Sequence, residues 1–188
     1  EVLARHGVTH LFTLCGGHIS PILTGSQARG IKVVDVRDEG NAVFAADAVA
    51  RMTGTIGAAA VTAGPGVTNA MTGIANAQVA RVPVLVLSGL PPTAQENRGA
   101  LQDIVHTDLV RGITRYARTV RHSDLIPQEL AEAMACPVVA KHVERGEIVI
   151  YGGAVHFSKD ALEDESGRKV YGRVVELSEG GWTPMTEG

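Results

Sequence analysis

Four short clusters in this chain carry groups that could do chemistry. Glu39 stands beside Asp38 where an apolar run (Val33, Val34, Val36) hands over to the alanine-rich stretch "NAVFAADAVARM". Gly16 and Gly17 precede His18. Ala63-Gly64-Pro65-Gly66 forms a glycine–proline turn with Asn69 just beyond it, and Gln102 lies in the polar loop "LPPTAQENRGALQD". A carboxyl held away from water can share a proton with a nitrogen base instead of remaining a hydrated anion. Glycine turns let a backbone come close to a flat or phosphorylated group. The glycines here fit neither GxGxxG nor GxxxxGK[ST], so they do not specify a nucleotide-phosphate loop. Taken one at a time, each cluster is also what an ordinary strand-to-helix loop carries.

The elements that must position these groups are legible from periodicity. Val8 to Leu14, Ile31 to Val36, Gly57 to Gly64 and Pro83 to Gly89 are short, nearly all-apolar runs. Between them lie helical patterns: His18 to Gly30, Asn41 to Met52, and a segment opening at Pro65-Gly66 with Met71, Ile74, Ala75 and Val79 at helical spacing. A further helix is expected over Ile126 to Met134. Apolar strands alternating with helices predict an α/β fold, a parallel sheet with helices on both faces. Ligands of such sheets sit at the carboxyl ends of the strands. Those ends are Cys15 to His18, Asp38-Glu39, Ala63 to Gly66 and Ser88-Gly89, so a site should be assembled there.

Composition narrows the function classes. The chain has 188 residues, 45% hydrophobic and 20% charged, with a formal net charge of −3 and no basic stripe with interleaved aromatics. Nucleic-acid binding is disfavoured. No apolar run approaches the roughly 18 residues that span a bilayer. The two cysteines, Cys15 and Cys136, form neither a disulfide framework nor a zinc pattern, which makes a reducing, cytoplasmic location the default. No metal set is expected within the chain. A first residue other than Met suggests a segment of a longer protein. Up to Ala133 there are 11 basic and 11 acidic residues, and from Met134 onward 6 and 9, so the net charge sits in the tail and a domain boundary is expected near Met134.

Taken together, "RDEGNAVFAADAVARMTG", "VTAGPGVTNAMTGIANAQVARVPVLVLSG" and "NRGALQD" resemble the pyrimidine-binding domain of thiamine-diphosphate-dependent enzymes. The likeness lies in the branch of acetolactate synthase, 2-hydroxyacyl-CoA lyase and oxalyl-CoA decarboxylase, and "GGHISPIL" and "ENRGALQ" are most similar to the lyase-like proteins. It covers residues 1–134. The resemblance implies that Glu39 hydrogen-bonds N1′ of the cofactor's aminopyrimidine and so activates thiazolium C2. It implies that Pro65 and Gly66 line the pyrimidine with Asn69 behind them, and that Gly16 and Gly17 lie over the cofactor. Gln102 would face the reacting centre, although Leu101 and Asp103 depart from the usual aromatic and glutamate beside it. His18 is either an acid/base or a loop residue. Ala42, Ala45, Ala46 and Ala50 suit close packing against a neighbour, expected to be the same helix of a second copy in a homodimer or tetramer. The family holds diphosphate and magnesium with GDG and a later asparagine, in a separate domain. No GDG occurs here, so a diphosphate-binding domain in the same or another chain is the expected partner. Other readings are one subunit of a split 2-oxoacid decarboxylase, or a non-catalytic pairing module.

The tail, 135–188, departs from that pattern after "ACPVVAKH". It is expected to be β-rich, with strands over Glu147 to Tyr151, Val155 to Ser158 and Val170 to Leu177. "YGGAVHFSKD" and "YGRVVELSEGGW" resemble the C-terminal β-domain of D-threonine aldolase/D-serine dehydratase-like pyridoxal-phosphate enzymes. The tail is then either foreign, as in a misjoined frame or a relic of such an enzyme, or a divergent linker. His142 and His156 read as ordinary strand histidines.

Overall fold

A computed structural model describes residues 1–96 and 98–135, together with the backbone of 175–178 and 181–184. Four parallel strands form the sheet: β1 (His10–Thr13), β2 (Lys32–Asp35), β3 (Gly57–Val61) and β4 (Val84–Ser88), in the spatial order β2-β1-β3-β4. Leu11 stands level with Val33 on one side and Ala58 on the other, and Ala58 with Leu85. Side-chain alternation then sorts the strand residues into two cores. Leu11, Ala58, Ala60, Leu85 and Leu87 face a cluster with Leu3, Ile19 and Met134. Phe12, Ala59, Val61, Val84 and Val86 face the opposite one, with Ala42, Val43, Ala46 and Ala70. Helices α1 (Val2–Arg5), α2 (Ser20–Gln27) and α6 (Ile126–Ala135) supply the first cluster. Helices α3 (Glu39–Thr53) and α4 (Pro65–Ala80) supply the second, and α5 (His106–Val110) closes over the same side with Val110. The expected α/β sheet with helices on both faces is what forms. Among the described residues, no helix is long and apolar enough to cross a membrane.

Local chemistry sets the helix that matters most. Asp38, in extended conformation, caps α3 by accepting a hydrogen bond from the Asn41 N–H at 3.0 Å, and Gly54 ends the helix in the left-handed region with φ 69°. The helix therefore begins two residues earlier than the apolar pattern implied, and Glu39 lies within its first turn. Asp47 and Arg51 pair one turn apart at 3.0 Å. Pro65 opens α4 at a position where its missing N–H costs nothing.

The alanines do something different from what the sequence suggested. Ala42, Ala46 and Ala50 repeat every four residues and are all buried within the chain, so these three pack against its own elements, while Ala45 is half-buried. The approach is close enough that a Cβ on Gly57 would fall inside the contact shell of the Ala46 carbonyl. Gly57→Ala is thus expected to force helix and strand apart and to cost about 1–3 kcal/mol or more. A denaturant midpoint unchanged from wild type would contradict this contact.

Of the tail, β5 (Val175–Ser178) and β6 (Gly181–Pro184) pair antiparallel, Leu177 opposite Trp182. The first overlaps the expected strand ending at Leu177. The expected strands over 147–151 and 155–158, and His142 and His156, lie outside the described residues. The boundary expected near Met134 falls inside the last turn of α6, whose Met134 side chain is completely buried among Leu3, Ile31 and Ala60. A chain ending at Met134 keeps that anchor and is expected to melt as one cooperative unit. Loss of the cooperative transition would make residues beyond Met134 part of this core.

Candidate functional site

The carboxyl ends of the four strands meet at one edge of the sheet, and the groups singled out from sequence gather there. Glu39 begins α3 directly after β2 and is only 6% exposed. Its Oε2 accepts a hydrogen bond from Asn69 Nδ2, on the first turns of α4, at 3.0 Å. Its Oε1 points toward Gly66: a Cβ there would lie 3.4 Å from that oxygen and 3.0 Å from the Thr62 methyl. Gly16, in the loop after β1, packs on the same Thr62, where a Cβ would come within 2.5 Å of the Thr62 Cβ. Glu39, Gly66, Thr62 and Gly16 thus form a continuous wall of small groups around one dry carboxyl. Pro65, Asn69 and Gly17 remain exposed at its rim.

Gly64 is the pivot of the turn. Its backbone, φ 61° and ψ −110°, is open to glycine and strained for any other residue. A Cβ would also strike Gln102, 2.9 Å from both its Cβ and its carbonyl oxygen. Gln102 itself takes a positive φ of 64°, so two left-handed residues are locked against each other. This brings Gln102 to the same turn as Pro65 and Gly66, some forty residues earlier in the chain. His18 stands farther round the edge, where its backbone and Cβ fill the space a side chain on Gly89 would need. The structure therefore groups Glu39, Asn69, Gly66, Pro65, Gly16 and Gln102 closely, with Gly17 at the rim. It sets the backbone and Cβ of His18 beside Gly89.

Two participants went unnoticed in the sequence. Thr62 carries the contact between Gly16 and Gly66. His106, at the start of α5, is buried and accepts a hydrogen bond from the Gly64 N–H through Nε2 at 2.8 Å. Burial holds the His106 pKa below its usual value; Asp103 opposes this and His18 reinforces it. Among the described residues, no three His, Cys, Asp or Glu side chains gather to hold a metal ion.

A buried carboxyl tethered by an amide, with small residues on either side, can meet a nitrogen of a flat, weakly polar ring. The chain is similar to several known proteins. The 2-hydroxyacyl-CoA lyase 2 of Bos taurus is 56% identical over 135 residues, 71% of this chain and 21% of that protein. Its Mus musculus counterpart is 44% identical over 200 aligned residues, covering the whole of this chain and 32% of that protein. The acetolactate synthase large subunit IlvG of Mycobacterium tuberculosis is 38% identical over 139 residues, 72% of this chain and 25% of that protein. This chain thus spans no more than about a third of the length of these relatives. Residues 1–110 match the family described as thiamine pyrophosphate enzyme, N-terminal TPP binding domain, and the chain belongs to that family.

Proposed function

We propose that this chain is the pyrimidine-binding half of a thiamine-diphosphate-dependent carbon–carbon lyase or synthase, of the 2-hydroxyacyl-CoA lyase or acetolactate synthase type, with Glu39 as the group that activates the cofactor. The observation that carries this is the state of the Glu39 carboxyl: dry, tethered through Oε2 to Asn69, and turned through Oε1 toward the Gly66 wall. When bound, the cofactor supplies an acidic carbon, thiazolium C2, and an electron sink for bonds beside a carbonyl carbon. The chain's own residues do the rest. Glu39 shares a proton between its carboxyl and the ring nitrogen it meets, because little water competes for it. Asn69 fixes which oxygen is free. Gly66, Thr62 and Gly16 set the width of the slot, and Gln102 stands at its mouth, where a substrate carbonyl would enter. His18 is assigned to the loop rather than to proton transfer, in keeping with its packing on Gly89.

The charged end of the cofactor, with Mg2+, belongs to a second, diphosphate-binding domain. Leu101, at 77% exposure, and Val105, at 53%, present apolar surface beside Gln102 that such a domain would cover. Pairing of two copies would use the outward faces of α3 and α4, where Phe44, Met52 and Val79 are exposed. The whole-chain match to the mouse lyase favours a divergent linker for the tail over a fragment of a pyridoxal-phosphate aldolase or dehydratase. The deciding measurement is proton exchange at thiazolium C2 in the assembled enzyme, with Glu39 intact and with Glu39→Gln. Equal rates in the two would end this reading.

A further inference from the structure

The hydrogen bond from the Gly64 N–H to His106 links a buried imidazole to the turn beside Glu39. Gly64 is the residue before α4, and its buried N–H finds its acceptor not in the backbone but in the imidazole Nε2, 42 positions away. A nitrogen that accepts must carry a lone pair, so the ring is neutral and holds its proton on Nδ1. A buried amide left without an acceptor is costly, which makes this ring the tie that keeps the turn in place. Protonation would put an N–H on Nε2, facing the N–H of Gly64. Two donors then oppose each other, and the turn has to shift. Gly66, two residues on, is the residue against which Glu39 Oε1 lies. The charge state of one imidazole thus reaches the pocket wall through three residues.

We propose that His106 is a positioning residue: as a neutral ring it fixes the Gly64–Gly66 turn beside Glu39, and taking up a proton at Nε2 releases that turn.

The surroundings support a neutral ring near pH 7. Burial, the largest influence, disfavours the imidazolium; Asp103 on the preceding loop favours it, and His18 from the end of β1 disfavours it. The elements packed beside α5 add no opposing charge: α4, β3 and β4 contain no charged residue. Arg111, in the turn that follows, is paired with Asp108 at the surface at 3.7 Å. The unfolded chain therefore takes up the proton more readily than the folded one. The stabilisation is complete above about pH 6.5 and is lost as pH falls below it.

The test is amide hydrogen exchange at Gly64, followed by NMR in the 188-residue chain between about pH 7 and 5, where histidines titrate. Wild type is expected to keep its protection down to about pH 6.5, and then to lose about tenfold per pH unit. His106→Gln places a non-titrating acceptor oxygen near the Nε2 position and should hold Gly64 protected throughout. His106→Leu should leave Gly64 unprotected at every pH, while Ala59 in β3 stays protected in all three proteins. Protection in wild type that does not change with pH, or that changes equally in His106→Gln, overturns the proposal. If His106→Leu fails to fold, the comparison of wild type with Gln still decides.

The consequence for catalysis rests on the cofactor reading above. In the assembled enzyme the acid limb of C2 exchange should move to lower pH in His106→Gln. A Gly64 amide that titrates while this limb stays put would overturn the positioning role. The cofactor reading itself stands or falls separately, on Glu39→Gln.

Discussion

Glu39→Gln in the assembled holoenzyme is expected to slow deuterium exchange at thiazolium C2 by about 10²- to 10⁴-fold, the usual worth of a positioned acid/base group. Affinity for the cofactor should change little. Glutamine has the shape of glutamate, and its carbonyl oxygen can accept the Asn69 hydrogen bond that Oε2 now takes at 3.0 Å. The slot beside Gly66 therefore keeps its width, and what is lost is the capacity to share a proton. A large drop in affinity with little change in exchange would mean that Glu39 only holds the ring. That outcome would leave proton transfer to another group.

The second large effect concerns the chain by itself. Without a diphosphate-binding domain it should bind thiamine diphosphate and Mg2+ with a Kd no tighter than about 1 mM, worth about 4 kcal/mol. A diphosphate cannot leave water uncompensated, and Mg2+ needs at least one or two carboxylates suitably placed. Glu39 already accepts a hydrogen bond from Asn69, and the loops around it, 15–18 and 63–66, carry no lysine or arginine. What remains is contact with one face of a heterocycle, open to water at Pro65 and Gly17. Isothermal calorimetry on the isolated chain measures this directly. A micromolar constant would mean that the chain contains a diphosphate site.

Much of this architecture was legible in the residues, for a physical reason. A parallel strand buried on both faces must be apolar along its whole length, and "GAAAV" advertises that, as Pro65 advertises a helix start. Strand ends were legible as a group because the fold class alone brings them to one edge. Two things were not. The partner of the alanine stripe depends on which way α3 rolls, and repeats at positions 42, 46 and 50 look the same whether they face a sheet or another helix. His106 was hidden because its importance comes from a single acceptor atom beneath a turn distant in sequence. Hydrophobic periodicity carries no trace of such a bond. Asn69, by contrast, was found through resemblance, and the structure then supplied its partner.

The strand order also has a consequence while the polypeptide is being made. β1, early in the chain, lies between β2 and β3, so three of the four strands exist once Val61 has left the ribosome. β4 ends at Ser88, and at about 5–20 residues per second it follows roughly one to five seconds later. For that interval the free edge of β3, a row of unpaired backbone groups between alanine side chains, is the growing face of the sheet. An edge with no charge or proline to guard it is the kind that pairs with a neighbouring nascent chain. Slower translation through 62–83 should therefore raise the yield of aggregate, and a chaperone that covers β3 during synthesis should lower it.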